Sequence, residues 1–209
     1  MKFYDCQTAP SPRRVRMFIA EKGIQVPTIE VNLRQREQLG ETFLKLNPFA
    51  TVPVLELDDA TKLITTAGCR AYLESANPTP ALLGRTDTER GQIADLVWRI
   101  EADGFMAVAE CLRNSAKGMK DRALSGPYNY AQIPELAERG RERATRFFPV
   151  LDELLSDKLF LAGDSISAAD LDAFIFIEFC QWIKLEIPPQ CSNVCRWFEM
   201  MANRDSAKL

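Results

Sequence analysis

The chain has 209 residues, 46% apolar and 26% charged, an ordinary soluble-globular composition that allows one large domain or two small ones sharing an interface. Its 26 basic against 29 acidic residues leave a slightly acidic balance, without the basic excess that nucleic-acid binding calls for. No apolar run approaches the roughly 20 residues that span a bilayer, and Met1-Lys2-Phe3-Tyr4-Asp5 does not have the form of a signal peptide, so a cytoplasmic protein without membrane or nucleic-acid partners is expected.

The absence of histidine excludes His-based triads, general bases and metal ligands, leaving zinc only an all-Cys or carboxylate site. The six cysteines form no CxxC pair and read as reduced thiols, with Cys191 and Cys195 on one helical face as packing residues. No metal is expected.

Residues 2–6 read as a short strand, followed by a Pro/Ser loop and a helix from about Pro12 to Lys22, ended by Gly23. Ser11 is placed to cap that helix, with Pro12 at the favoured first position. Pro27 to Leu33 alternates apolar and polar residues through Ile29, Val31 and Leu33 and reads as a second strand. A short helix from Glu41 to Leu46 is stopped by Asn47-Pro48. Thr51–Leu57 and Lys62–Thr65 form strands across the turn 58–61, and a helix from Thr66 to about Ser75 ends near Asn77-Pro78. The order βαβ, short α, ββα implies a small α/β sheet domain.

Beyond Leu83-Gly84 the pattern becomes helical. Ile93, Val97, Ile100, Gly104, Ala107 and Cys111 keep a three-four spacing that predicts one long amphipathic helix over 86–116. Further helices are predicted over 133–156, 168–185 and 191–203, and Gly118–Tyr130, with Gly126-Pro127, reads as a loop. In Ile166-Ser167-Ala168-Ala169-Asp170-Leu171, Ser167 is the N-cap and Asp170 stands at N3, a capping box with Asp in place of Glu, flanked by Ile166 and Leu171 as a hydrophobic staple. This motif is structural, not chemical.

The run Asn47-Pro48-Phe49-Ala50-Thr51-Val52-Pro53-Val54-Leu55-Glu56-Leu57 contains a proline inside a strand pattern. Proline removes a ladder donor, so Val52 gains an N–H and a C=O free to pair with an extended ligand; simple strand termination is the competing reading. Together with Gly163-Asp164-x-x-Ser167-x-x-Asp170 in the helical half, this run resembles the cytosolic glutathione transferases over essentially the whole chain. The opening Thr8-Ala9-Pro10-Ser11-Pro12-Arg13-Arg14-Val15-Arg16 and the stretch Leu161-Ala162-Gly163-Asp164 most resemble the bacterial and fungal branch that lacks the usual catalytic Tyr, Ser or Cys.

The resemblance implies an α/β plus all-α fold: a thioredoxin-like, glutathione-binding domain over 1–77 and an all-helical domain over 86–209 that contributes the hydrophobic-substrate site between the halves. Trp98, Phe105, Met106, Tyr128 and Tyr130 are candidates for that lining or plain packing residues, and Arg113 and Asn114 fall near the place where the branch holds a catalytic water. The family's proline is cis, and the residue before it grips glutathione, which places Val52 and Pro53 in the site. Thr51 stands where the family often has Lys or Gln, and Gln38 where it often has His; either would reach the glycine carboxylate of glutathione. Thr66 keeps a hydroxyl at a helix N-terminus for the γ-glutamyl carboxylate. Thr65 replaces the acid that meets the α-amino group.

The family's catalytic position falls on Ala9 or Pro10, neither of which donates from its side chain. Ser11 and Thr8 are the nearby hydroxyls, each either a thiolate contact or a plain cap or loop residue, and a backbone N–H or a bound water is the other possible donor. The implied enzyme is a homodimer that conjugates the glutathione thiolate to hydrophobic electrophiles. Ala9, Thr51 and Thr65 also suit a non-catalytic binding or interaction module, and thiol-disulfide exchange through Cys6 is a third reading.

Overall fold

The computed structural model describes residues 1–209, which divide into two compact units. The first comprises residues 1–80 with 125–128 and Leu209, and the second residues 81–124 and 129–208.

In the first unit four strands form one mixed sheet in the order β2-β1-β3-β4: β1 (Lys2–Asp5), β2 (Thr28–Glu30), β3 (Val54–Glu56) and β4 (Lys62–Leu63). β1 and β2 are parallel and the other pairs antiparallel. All four strands are shorter than their sequence patterns predict, each for a local reason. β2 pairs only over Phe3↔Thr28, Tyr4↔Ile29 and Asp5↔Glu30, because β1 ends there, and the Val31 N–H closes the ladder on the Asp5 carbonyl. Ile29, expected to face the core, is 40% exposed at the sheet edge. β3 begins only after Pro53, which has no N–H to give a neighbour. β4 stops at Leu63 because the chain is already turning into the next helix.

Helix α1 covers Pro10–Glu21, α2 Glu41–Leu46 and α3 Thr66–Ala76. The start of α1 corrects the expectation of a Ser11 cap. The N-cap is Ala9, in extended conformation and without a side-chain cap bond, so Ser11 lies inside the first turn. Pro10 rather than Pro12 takes the first helical position, and its fixed φ suits it there.

The second unit is helical: α4 (Asp87–Arg99), α5 (Met106–Ser115), α6 (Pro134–Leu154), α7 (Ala168–Cys180) and α8 (Ser192–Ala202). The single helix predicted over 86–116 is interrupted by a π-helical turn over Ile100–Phe105. Such a turn frees a carbonyl from the regular ladder, and Arg143 Nη2 donates to the Ala102 carbonyl at 2.5 Å. Gly104 within the turn lets the Phe176 ring approach, since a Cβ there would stand 3.0 Å from it. Phe105, Phe147, Phe148 and Phe176 form an aromatic core, the rings of Phe147 and Phe176 meeting edge to face at 5.5 Å.

α6 packs tightly along α5: a Cβ on Gly140 would meet the Ala107 carbonyl at 2.6 Å and the Cys111 nitrogen at 2.7 Å, so only glycine permits this approach. The predicted capping region of α7 is fully buried. The Asp170 carboxylate accepts from the Leu161 and Ser167 N–H groups, the Ser167 hydroxyl and the Trp197 indole. All six cysteines are free thiols. No helix is long and apolar enough to cross a membrane.

Candidate functional site

The first unit gathers its chemistry where α1 and α3 begin. The buried cluster of Cys6, Val31, Phe43, Val52 and Val54 takes in Ala9 and Ile64 at its margin. It therefore holds the N-cap of α1, the residue before Pro53 and the residue after β4 in one packed group. The Thr66 hydroxyl donates to the Ser11 carbonyl at 3.3 Å and fixes the start of α3 against the first turn of α1.

The two helix starts differ in what they offer. An α-helix leaves its first N–H groups without intrahelical acceptors. In α1, Pro10 and Pro12 have no N–H and the Ala9 N–H is bound to the Cys6 carbonyl, so Ser11 supplies the one unpaired backbone donor of the turn. Ser11 is half-buried and also carries a hydroxyl, so both local donors belong to one residue. In α3, Thr65 is the N-cap and its hydroxyl oxygen accepts from the Gly68 N–H at 3.0 Å. The Thr66 and Ala67 N–H groups remain, two donors side by side with the Thr66 hydroxyl next to them. Two adjacent N–H groups suit a carboxylate; one donor residue suits a single-atom anion.

Val52 and Pro53 are buried, and the bond between them is cis. Neither the N–H nor the C=O of Val52 forms a hydrogen bond within the protein. Buried backbone groups are nearly always paired, so this unpaired peptide is a candidate ligand contact.

The turn that presents it is organised by Asn47, which is fully buried. Its side-chain amide donates to the Thr51 carbonyl at 2.8 Å and the Thr51 hydroxyl oxygen at 3.1 Å, and its Oδ1 accepts from the Phe49 N–H at 3.0 Å. The Ala50 N–H bonds the Asn47 carbonyl, and Ala50 itself takes a positive φ of 53°. Sequence reasoning treats Asn47 only as a helix stop; the signal available to it was an Asn four residues before the hydroxyl of Thr51, the spacing of a local side-chain turn.

The remaining candidates are more scattered. Gln38 lies in a 3₁₀ turn before α2; its side-chain amide has no partner and its Oε1 is buried. An orphaned amide at this position is a candidate ligand contact, through its Nε2 donors for a carboxylate. Thr8 is exposed on the loop before α1, its hydroxyl 3.6 Å from the Cys6 sulfur. Cys6 is itself buried, out of reach as a nucleophile. Of the arginines of α1, Arg16 pairs with Asp5, and Arg14 is buried, its carbonyl accepting from Arg70.

In the second unit, Trp98, Met106 and Tyr130 are exposed while Phe105 is buried in the aromatic core, which fits packing and not substrate contact for Phe105. Tyr128 is 71% exposed. Asn114 is spent on structure, its Nδ2 bound to the Glu110 carbonyl and its Oδ1 to the Ile133 N–H, both at 2.9 Å.

Comparison with known proteins agrees with this arrangement. The models for the glutathione S-transferase N-terminal and C-terminal domains match residues 8–76 and 105–205. Glutathione S-transferase 2 of Saccharomyces cerevisiae is 32% identical over all of this chain and 88% of its own length. A glutathione S-transferase domain-containing protein from Marinobacter aquaeolei superimposes with a TM-score of 0.90 at 33% identity, over 99% of both chains. The crystal structure of Gtt2 from Saccharomyces cerevisiae gives 0.91 at 31% identity, over 100% of this chain and 99% of that one. The chain belongs to the glutathione S-transferase family, alongside fungal and bacterial members.

Proposed function

We propose that the chain binds glutathione at the start of α1 and α3, ionises its thiol there, and conjugates the thiolate to hydrophobic electrophiles. The unpaired Val52 peptide, packed in one cluster with the N-cap of α1, is the observation that carries this reading. It is the complement that an extended peptide ligand needs, with one N–H and one C=O to exchange.

The roles follow from the donors. Val52 pairs with the ligand's backbone, and Pro53 keeps neighbouring strands from taking that edge. The Thr66 and Ala67 N–H groups and the Thr66 hydroxyl receive the γ-glutamyl carboxylate; the hydroxyl turns from the Ser11 carbonyl to do so. Gln38 and Thr51 meet the glycine carboxylate. The Thr65 hydroxyl, already accepting from Gly68, keeps one lone pair and its proton but carries no negative charge. It therefore cannot stand in for an acid opposite the α-amino group.

Ser11 faces the sulfur. Lowering a thiol pKa by two units from ~8.5 takes about 2.7 kcal/mol of preferential thiolate stabilisation. A helix N-terminus supplies roughly 0.3–1 kcal/mol, up to ~2 when partly buried. A hydrogen bond to a charged acceptor adds about 1.5–3 kcal/mol. The dipole alone falls short, and the dipole with the Ser11 N–H and hydroxyl suffices. The thiol proton passes to solvent, the sulfur lone pair forms the new S–C bond, and the electrophile's leaving group departs with its own electron pair. Proximity and thiolate stabilisation drive the reaction without covalent chemistry on the protein. Thr8, whose hydroxyl faces Cys6, is at most a minor contributor.

The α/β domain over 1–77 is the glutathione-binding part and the helical domain over 86–209 supplies the electrophile's contacts. Family habit makes the protein a cytoplasmic homodimer acting in detoxification. A non-catalytic module is not favoured, because a full-length relative is a transferase. Calorimetry with glutathione tests the site: binding by the wild type that weakens in Thr66→Ala supports it, and no binding at millimolar glutathione sinks it. Turnover of an aryl halide then separates enzyme from binding module.

A further inference from the structure

Arg113 lies in the last turn of α5 and is half-buried. Its Nη1 donates to the Arg122 carbonyl at 2.8 Å, and this is its one hydrogen bond in the protein. A guanidinium carries five N–H donors in a planar fork, so four are left without a protein acceptor. No carboxylate pairs with it. Glu110, one turn back on the same helix, is taken by Arg139 and Arg143, and the charge that bears on Arg113 is the positive one of Arg122. Burial and that second positive charge both hold the Arg113 pKa below the ordinary arginine value. Partial burial of a charge with no counter-ion costs free energy that an anion would offset.

The surroundings are held in place. Gln132 Nε2 donates to the Arg113 and Ala116 carbonyls at 2.8 and 2.9 Å, closing the end of α5. Tyr130 is bound by its backbone to the neighbours of Arg122, its N–H to the Asp121 carbonyl at 3.0 Å and its carbonyl to the Ala123 N–H at 3.1 Å. Tyr130, 47% exposed, is thus held by its backbone alongside Arg122.

We propose that Arg113, with Arg122 and Tyr130 beside it, forms a binding site for a planar aromatic carboxylate. The carboxylate takes the free edge of the Arg113 fork in bidentate fashion, the geometry guanidinium favours. The aromatic body lies against Tyr130, whose face accommodates an offset ring.

The test needs no glutathione, so its failure leaves the transfer reading untouched. Calorimetric titration compares 3,5-dinitrobenzoate with neutral 1,3-dinitrobenzene. Wild type is expected to bind the carboxylate about tenfold more tightly, and raising salt from about 0.01 M to about 1 M shrinks that preference. Arg113→Gln removes the preference, while Arg113→Lys, which keeps the charge but not the fork, retains part of it. Equal affinities in wild type, a preference indifferent to salt, or a preference that survives in Arg113→Gln overturns the proposal. If Arg113→Gln melts early, the salt dependence of wild type and the Arg113→Lys titration decide alone.

Discussion

The Thr66 hydroxyl donates to the Ser11 carbonyl at 3.3 Å, tying the first residue of α3 to the first turn of α1. Two helix starts are thereby set together, one with a single donor residue and the other with two adjacent backbone donors. In the proposed binding mode, that asymmetry puts the thiolate at α1 and the carboxylate at α3.

Removing the tie weakens glutathione binding without unfolding the unit. Thr66→Ala deletes one hydroxyl from a half-buried position and leaves the Thr65 cap in place. The expected cost is about 1–1.5 kcal/mol of binding, near tenfold in Kd. Thr66→Ser, which keeps the hydroxyl, is expected to stay close to wild type. Calorimetry on the three proteins checks this.

Ser11 separates side-chain from backbone donation. Ser11→Ala removes the hydroxyl and keeps the N–H; Ser11→Pro removes both, in a first turn that tolerates proline. The bound thiol pKa is expected to rise modestly in the first and towards the free value in the second. Thiolate absorbance against pH reads both.

The Asp170 carboxylate joins four donors around the start of α7. Asp170→Ala strands the Leu161 and Ser167 N–H groups and the Trp197 indole in the core. The expected loss is about 3–5 kcal/mol, since buried polar groups are left unpaired. At roughly 2–4 °C per kcal/mol for a chain of this size, the melting temperature falls by on the order of 10 °C or more. Thermal denaturation followed by circular dichroism measures it.

Cys69 gives a pH signature. Burial pushes its thiol up from 9.0 to about 12. The neutral thiol is favoured in the folded state, so its contribution is fully present below the unfolded value near 9 and is lost as pH rises towards 12. Between those values folding loses about 1.4 kcal/mol per pH unit from this group. Urea titrations at pH 8 and about pH 10 are expected to show a smaller drop for Cys69→Ala than for wild type. An equal drop would refute the assignment to Cys69.

Much of this fold was legible in the residues. The order of elements, the short helix Glu41–Leu46 and the Ser167–Asp170 pairing all follow from patterns a few residues long. What local pattern missed depends on contacts far along the chain. The π turn at Ile100–Phe105 is packed on by the Phe176 ring at Gly104, a partner more than 70 residues away that no local pattern displays. Ser11 is a good capping residue by propensity, yet α1 starts at Pro10 because the Arg13 N–H already closes a helical bond on the Ala9 carbonyl. That shift changes the chemistry: as a cap, Ser11 would commit its hydroxyl oxygen to a helical N–H, whereas inside the turn its hydroxyl and its backbone N–H are both left to face a ligand. Asn47 was hidden because its bonds to Thr51 and Phe49 matter only once the Val52 peptide is seen to be unpaired.

The most direct test of thiolate activation at Ser11 is the pKa of the glutathione thiol in its complex with the wild-type protein, followed by thiolate absorbance from about pH 5 to 9. A bound thiol that titrates about two units below the free value of ~8.5 is the expected result. A thiol that binds but titrates at its free value would contradict activation at the start of α1.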